Sequence, residues 1–301
     1  MRLVRFDDNF TGALTERDGR TVVVDLQATL RSLGCEDWRA LIERWEEFGP
    51  RLESQVALAE NVHDLDAVRL RAPLPAPTSR IFALGANFRS HVSGATRALR
   101  GDDPAASANA SPPAGFFVIP GTVVGPDDEI APPPSGQKID YEAEAVVVLA
   151  SGGRDLAPGD VRFWGHTGFN DVSIRDPHLG LSQLDKGNLA WGLQKNFDGG
   201  NVLGPAVVID EGYDPAKLSI RSSVNGQQRQ SGSTTDMIKS FVEAVVYLSS
   251  YLRLEPGDML TSGTPSGTAI EQGIDGPYLQ SGDVIEVEIE GAGVLRNRVR
   301  R

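Results

Sequence analysis

Two glutamates separated by a single alanine are the residues whose type and spacing first indicate chemistry. Glu142 and Glu144 precede residues 145–150, an apolar and largely β-branched run that predicts a buried strand. Because side chains alternate along a strand, both carboxylates are expected to project to the same side. Neighbouring buried anions repel each other, and Mg²⁺, Mn²⁺ and Ca²⁺ all prefer carboxylate oxygen. The pair therefore indicates a site for a hard divalent cation; the alternative is a strand end whose glutamates merely face water.

The elements that must position this pair are predicted to be mostly β-strands. The 301 residues include 33 glycines and 19 prolines, scattered between short apolar runs. This composition favours a turn-rich β architecture over a helical bundle. Residues 218–224 alternate in polarity and end at Asn225-Gly226, a strong hairpin signal. Residues 71–301 are therefore predicted to form one mostly β (α+β) domain with one or two helices.

The first 70 residues are predicted to form a separate, small α/β domain. Strands are expected at 2–6 and 21–24, and helical spacing follows between 26 and 62. The proline-rich stretch 72–77 is a stiff connector that marks the boundary. No spacing of polar residues in this part indicates chemistry, and its apolar stripe is interpreted as core packing.

Charge and cysteine content exclude several classes of protein. The net charge is −12 and the sequence contains no basic tract, so neither a nucleic acid nor an anionic membrane is expected as a partner. Cys35 is the single cysteine, which excludes a disulfide within the chain. No apolar run approaches 18 residues and the start lacks a signal sequence, so a soluble, cytoplasmic protein is expected.

Eight short motifs together resemble the fumarylacetoacetate hydrolase family, over roughly residues 68–300. They are G-x-N-F-x-x-H at 85–91, D-Y-E-x-E at 140–144, N-D-V-S-x-R-D at 170–176, K-x-F-D at 195–198, V-N-G at 224–226, L-x-P-G-D at 254–258, S-G-T-P-S-G at 262–267 and G-x-G-x-L-x-N at 291–297. The resemblance implies β-sheets rolled into a compact, barrel-like C-terminal domain. It also implies a homodimer.

The resemblance implies a metal site and a catalytic cation. The family's metal ligands fall on Glu142, Glu144 and Asp171, and three carboxylates suit Mg²⁺ or Mn²⁺, with Ca²⁺ also allowed. The family's lysine falls on Lys195, where it would stabilise negative charge that develops on the substrate. The structural alternatives are an Asx turn for the aspartate and a surface ion pair for the lysine.

The resemblance also implies a substrate-binding set. The family's contacts with a substrate carboxylate fall on Arg175 and Thr264. Their chemistry suits this role, since a guanidinium offers a planar fork to a carboxylate and a glycine-rich turn allows the backbone to come close. His178 is placed at the wall of the same pocket. The structural alternative for Arg175 is a salt bridge with Asp176.

His91 matches the histidine that activates water in the hydrolytic members of the family, a task suited to the ordinary pKa of imidazole. In many members a glutamate three residues later orients the ring, but Gly94 occupies that position here. Ile119 likewise replaces a frequent lysine. These departures do not affect the predicted metal site, but they argue against activation of water by His91, the step that hydrolysis requires.

Residues 96–114 contain almost no large apolar side chain, so they are predicted to form a mobile surface loop. Because this segment follows His91, a role as a lid over the pocket is expected. An acid from the segment, Asp102 or Asp103, is a candidate for orienting the histidine.

The implied function is metal-dependent hydrolysis of a C–C bond in an acylpyruvate or β-diketo acid, such as a fumarylacetoacetate-like or fumarylpyruvate-like substrate. The alternative is an isomerase, tautomerase, decarboxylase or hydratase that acts on a 2-oxo acid through a metal-bound enolate, without attack by water. A third interpretation, a binding protein without activity, conflicts with the match of Glu142, Glu144, Asp171 and Lys195 to the family motifs.

Overall fold

The computed structural model describes residues 1–35, 37–74, 80–100, 111–176, 189–209 and 212–300. Within these ranges the α-helices are α1 (Gln27–Ser32), α2 (Trp38–Glu43), α3 (Trp45–Leu58), α4 (Arg89–Arg100), α5 (Leu189–Lys195) and α6 (Phe241–Ser249). Short 3₁₀ helices cover Leu65–Ala67, Pro120–Thr122, Pro158–Asp160, Pro215–Lys217, Thr234–Asp236 and Ala269–Gln272.

Strands form most of the regular structure in these ranges. They are β1 (Arg2–Phe6), β2 (Phe10–Arg17), β3 (Arg20–Asp25), β4 (Val62–Asp64), β5 (Leu70–Arg71), β6 (Ile81–Gly85), β7 (Ala114–Phe117), β8 (Val123–Val124), β9 (Glu129–Ile130), β10 (Ile139–Asp140), β11 (Ala143–Leu149), β12 (Phe163–Asp171), β13 (Ser173–Ile174), β14 (Asn201–Val208), β15 (Ser219–Val224), β16 (Gln227–Ser233), β17 (Met259–Thr261), β18 (Val284–Ile289) and β19 (Gly293–Val299). The mostly β fold class is therefore confirmed.

The strands form one large sheet and two smaller ones. The large sheet has the order β4-β3-β2-β1-β14-β12-β11-β17-β6-β7, with β5 and β8 added at its sides. A five-stranded sheet has the order β16-β15-β18-β19-β9, and β10 pairs with β13 alone. The turn Asn225-Gly226 joins β15 to β16, as the hairpin signal predicts.

Strand β11 lies between two hydrophobic cores, and every one of its residues is buried. Ala145 and Val147 pack into one core, whereas Val146 and Val148 pack into the other. A strand buried on both faces requires the continuous apolar run that the sequence has here. The run thus anchors the segment that carries Glu144 in the interior of the molecule.

The N-terminal strands belong to the large sheet. Arg2 and Leu3 of β1 pair antiparallel with Val208 and Val207 of β14, so the sheet continues across the predicted boundary at residue 70. The division into two domains stays a prediction.

Helix boundaries differ from the sequence-based expectations in two places. The helical spacing predicted up to residue 62 ends at Leu58, because Ala59 adopts a left-handed conformation (φ 46°) and β4 follows. The segment predicted as a loop from residue 96 is helical up to Arg100, so that part of the prediction is wrong. Its alanine, leucine and arginine residues are good helix formers, which outweighs the lack of a long apolar stripe.

Residues 101–110, which include Asp102 and Asp103, lie outside the described residues, so the lid role stays a prediction. Among the described helices, none is both long and apolar enough to cross a bilayer. The cytoplasmic location and the homodimer stay predictions.

Candidate active site and metal centre

Antiparallel pairing of β11 with β12 brings together the three carboxylates predicted to bind metal. Glu144 lies in β11 opposite Phe169, and Asp171 ends β12 with its backbone N–H donating to the Glu142 carbonyl at 2.9 Å. One carboxylate oxygen from each of Glu142, Glu144 and Asp171 lies within 4.8 Å of the others, and all three residues are buried. The structure thus assembles the predicted ligand set at one end of the central strand pair.

The charges of this cluster are those expected of a cation site. Burial, together with repulsion from Asp171 and Glu142, raises the pKa of Glu144 well above its ordinary value. Burial also raises the pKa of Asp171 to about 7, although the Lys195 ammonium opposes that rise. Asp171 Oδ1 is buried without a hydrogen-bond partner among the described residues. An all-oxygen donor set with an unsatisfied acceptor fits Mg²⁺, Mn²⁺ or Ca²⁺.

Two cations border the carboxylates. Lys195, the last residue of α5, places Nζ 2.7 Å from Asp171 Oδ2 and hydrogen-bonds Glu142. Arg175 follows β13, donates from Nε to Asp140 Oδ2 at 3.2 Å and also hydrogen-bonds Glu142. Burial alone would raise the pKa of Glu142, but the two cations lower that pKa below its ordinary value. The two cations face four carboxylates, so two formal negative charges remain, which a divalent ion would balance. The four carboxylates are those of Asp140, Glu142, Glu144 and Asp171.

The structural alternatives for these cations find little support. Lys195 is buried rather than on the surface. Asp176 accepts the backbone N–H groups of Gln137 and Lys138, both at 2.8 Å, while the ion-pair partners of Arg175 are Asp140 and Glu142.

A histidine–glutamate pair lies beside the triad. His91 Nδ1 is 2.5 Å from Glu271 Oε1, and His91 Nε2 is 3.8 Å from Glu142 Oε1. Because a carboxylate accepts hydrogen bonds, Nδ1 carries the proton and Nε2, which faces the triad, is left as the basic nitrogen. The 3₁₀ helix Ala269–Gln272 carries Glu271, whose carboxylate also accepts from Gly267 N and Thr268 Oγ1, each at 3.1 Å.

Gly94 and Glu271 are sterically complementary. A Cβ atom added at Gly94 would lie 2.7 Å from Glu271 Oε2, closer than unbonded atoms approach. The glycine at the position of the expected glutamate therefore leaves room for an acid from a remote part of the chain. This acid was missed by the sequence analysis. Its available signal was the capping pattern Thr268-x-x-Glu271, which directly follows the S-G-T-P-S-G motif at 262–267.

The turn after β17 closes another side of the triad. Gly263 N donates to Glu144 Oε2 at 3.1 Å. The Thr264 hydroxyl donates to the Ala143 carbonyl at 3.0 Å and accepts from Gln230 Nε2 at 2.6 Å, so it fastens the turn to β11. His178, the predicted residue of the pocket wall, lies outside the described residues.

The predicted site residues Glu142, Glu144, Asp171, Lys195, Arg175 and His91 thus meet at one place, together with Glu271 and Asp140. A base with an orienting acid, two cations and a hard-cation site are the parts needed for proton transfer with stabilisation of negative charge.

Comparisons with known proteins agree with this arrangement. Residues 80–300 match the sequence profile of the fumarylacetoacetate (FAA) hydrolase C-terminal domain. The chain is 32% identical to the oxaloacetate tautomerase YisK of Bacillus subtilis over 80% of this chain and 76% of that protein. It is 30% identical to the mitochondrial oxaloacetate tautomerase fahd2 of Xenopus laevis over 99% and 90%. The structure of a fumarylacetoacetate hydrolase from Exiguobacterium antarcticum superposes with a TM-score of 0.76, at 30% identity, over 100% of this chain and 99% of that one.

Proposed function

The chain belongs to the fumarylacetoacetate hydrolase family, and on that premise we propose a divalent-metal-dependent enzyme that interconverts the keto and enol forms of a dicarboxylic 2-oxo acid of the oxaloacetate class. The two relatives named oxaloacetate tautomerase support the choice of reaction. The observation that carries the proposal is the His91–Glu271 pair, which directs a basic nitrogen toward the carboxylate triad.

Glu142, Glu144 and Asp171 would hold the cation, and when bound it supplies Lewis-acid polarisation of the oxygen atoms of the substrate. Mg²⁺ and Mn²⁺ both suit this donor set.

The proton transfer is assigned to His91. In the keto-to-enol direction the bond between the substrate's C3 and its hydrogen breaks, and Nε2 gains the proton. The electron pair of that bond forms the C2–C3 double bond, and the π pair of the C2–O double bond moves to the oxo oxygen. The imidazolium that forms is stabilised by Glu271 at 2.5 Å, and its proton then passes to the oxygen, so no other reactant is consumed. The fixed hydrogen bond at Nδ1 holds the ring in one tautomer throughout.

The two cations divide the remaining work. Lys195 lies next to Asp171 and Glu142, where its ammonium stabilises the charge that develops on the oxo oxygen. Arg175 offers a planar guanidinium to the neighbouring carboxylate of the substrate, which orients C3 toward His91.

Hydrolysis of an acylpyruvate is a second candidate, and the same pair favours it. Gly94 occupies the position of the glutamate that usually orients the histidine. Glu271, from a distant part of the chain, hydrogen-bonds His91 in its place. A base oriented in this way can activate water as well as move a proton at carbon.

The test compares the two reactions on one preparation with Mn²⁺ or Mg²⁺ in excess. Conversion of enol-oxaloacetate to the keto form is followed by loss of enol absorbance, and cleavage of an acylpyruvate panel by chromatography of the products. We expect tautomerisation far above the uncatalysed rate, with little cleavage. Cleavage without tautomerisation would reverse the order of the two candidates, and the absence of both would refute the proposal.

Two histidine variants make the comparison specific. His91→Ala should slow tautomerisation by about 10²–10⁴-fold, the usual contribution of a general base, while metal affinity is kept. His63→Ala is the matched control, because His63 lies in β4 against Phe6 and should leave both rates unchanged.

A further inference from the structure

Asp140 is a fully buried carboxylate whose two oxygens accept four N–H groups. Oδ1 accepts from Tyr141 N at 3.0 Å and from Ala269 N at 2.7 Å. Oδ2 accepts from Ile270 N and from Arg175 Nε, each at 3.2 Å. The residue itself is 0% exposed, so it cannot contact a substrate directly.

One side of this carboxylate holds the element that carries Glu271. Ala269 and Ile270 are the first residues of the 3₁₀ helix Ala269–Gln272, and their N–H groups have no partner within so short a helix. Asp140 satisfies both, which fixes the helix against β10. Glu271, the next residue, then reaches His91 at 2.5 Å.

The other side of the carboxylate sets the plane of Arg175. A guanidinium is rigid and planar, so a hydrogen bond at Nε and one at Nη2 determine where its remaining N–H groups point. Here Nε is bound by Asp140 and Nη2 by Glu142. Without Asp140, the fork would keep Glu142 as its one ion-pair partner among the described residues and could turn about that contact.

We infer that Asp140 is a positioning residue that sets both Arg175 and Glu271, and through Glu271 the ring of His91. Asp140 thus fixes the position of Arg175, which binds the substrate carboxylate, relative to His91, which moves the proton. The inference rests on the roles of Arg175 and His91 in the proposed function.

The test is a double-mutant cycle with Asp140→Asn, which keeps the size of the side chain and removes acceptor capacity. Alone, it should lower kcat by about 10–100-fold, the range typical of residues that orient a functional group through a hydrogen bond. In a Glu271→Gln background the further loss should be below about threefold, because coupled residues act as one unit. Asp140→Asn should also raise KM, because Arg175 binds the substrate carboxylate, and this rise should disappear in an Arg175→Met background.

The matched control is Asp176→Asn. Asp176 is 4% exposed and accepts two backbone N–H groups, from Gln137 and Lys138. The hydrogen bonds of the described residues include none from Asp176 to the 3₁₀ helix or to the Arg175 side chain. Its kcat loss should multiply with that of Glu271→Gln. If the kcat losses of Asp140→Asn and Glu271→Gln also multiply in the double variant, the role of Asp140 is merely structural and the inference is overturned.

A second measurement does not depend on turnover. The imidazole Nδ1–H of His91 should give a downfield proton resonance, assigned by its loss in His91→Ala. It should shift or broaden in Asp140→Asn as in Glu271→Gln, and stay unchanged in Asp176→Asn. If the wild type turns over no oxo acid, the proposed function fails, and the resonance alone still decides for or against Asp140.

Ala269→Pro covers the case in which Asp140→Asn does not fold. It removes the Ala269 N–H, one of the two N–H groups that Asp140 Oδ1 accepts, but leaves the hydrogen bond from Arg175 to Asp140. Thr268 already has the extended backbone (φ −68°, ψ 160°) that a following proline requires, and proline is tolerated at a first helical position. We expect the same change of resonance with an unchanged KM. An unaltered resonance would overturn the inference.

Discussion

Two clusters of charge, each with buried carboxylates, lie at the two ends of strand β17, and they are built on opposite principles. At one end, Asp258 pairs with Arg80: Nε donates to Oδ1 at 2.8 Å and Nη2 donates to Oδ2, which also accepts Glu255 N at 2.8 Å. Here one acid meets one base, and each carboxylate oxygen has a partner.

At the other end of β17, the turn at Gly263 contacts Glu144 and the cluster is unbalanced. Acids outnumber bases, Asp171 Oδ1 lacks a partner among the described residues, and the pKa of Glu144 is raised by burial and by its neighbours. A carboxylate matched by one cation can serve the fold alone, whereas an unbalanced buried cluster costs stability unless a ligand completes it. The comparison therefore distinguishes a structural ion pair from a candidate binding site.

The largest effect is expected from Glu144→Gln, which breaks the unbalanced cluster. Mn²⁺ affinity should fall by at least about 10²-fold. Loss of a residue that only hydrogen-bonds a metal ligand already lowers metal affinity by up to about 10²-fold, and Glu144 is itself a proposed ligand. Activity should fall to background, while the free energy of unfolding of the metal-free protein stays the same or rises, because repulsion is relieved.

Calorimetric titration with Mn²⁺ and thermal melts check that result. With Mn²⁺ at about 100 times the wild-type Kd, the wild-type protein should gain about 2.7 kcal/mol of stability from the ion. The variant should gain at most about 0.4 kcal/mol at the same Mn²⁺ concentration. An unchanged titration in Glu144→Gln would show that the triad is not the metal site.

Glu271→Gln should have the next largest effect. The amide cannot act as an anionic partner for the His91 imidazolium, so kcat should fall by about 10²-fold or more while Mn²⁺ affinity is unchanged. Rates measured beside a metal titration separate this outcome from loss of the triad. Retention of wild-type kcat would remove Glu271 from the mechanism.

Arg80→Met tests the balanced cluster. Among the described residues it leaves Asp258 with one backbone donor, Glu255 N. The free energy of unfolding should fall by about 1–2 kcal/mol, because solvent screens part of a pair whose arginine is 42% exposed, with no change in Mn²⁺ affinity. Arg69→Met is the control: its ion pair with Asp128 is 58% exposed on the arginine side and should contribute less than about 1 kcal/mol. Denaturant unfolding measures the free energy of unfolding of both variants. Equal losses in the two would contradict a structural role for the Arg80–Asp258 pair.

The smallest effect is expected from Gly94→Ala. Its Cβ would press on Glu271 Oε2 at 2.7 Å, and the flexible end of that side chain can move away at some loss of contact with His91. We expect kcat to fall by less than in Glu271→Gln, by about 10-fold at most, since about 1 kcal/mol of hydrogen-bond energy is affected. Gly94→Glu would place a second carboxylate in the same volume and should not improve the enzyme.

Much of the metal site could be predicted from the sequence by local periodicity and motif spacing. Glu142 and Glu144 are two apart before an apolar run, and this spacing predicted that both carboxylates project to one side. In the structure β11 begins at Ala143, so Glu142 lies just before the strand, and both carboxylates reach the triad. The resemblance added Asp171, Lys195 and Arg175, and the structure brings all of them to the triad.

Other features depended on contacts between distant parts of the chain. Glu271 is 180 residues from His91, and no spacing rule relates them; the two meet because a short 3₁₀ helix packs beside α4, where Gly94 leaves space. Asp140 was visible within its motif, but its role depends on accepting N–H groups from residues 129 and 130 positions away. Local spacing thus determined that Glu142 and Glu144 lie close together, because residues two apart in the sequence are kept near each other by the backbone. Only tertiary packing decided which acid orients the base, because that choice depends on the space left between two elements that the sequence keeps far apart.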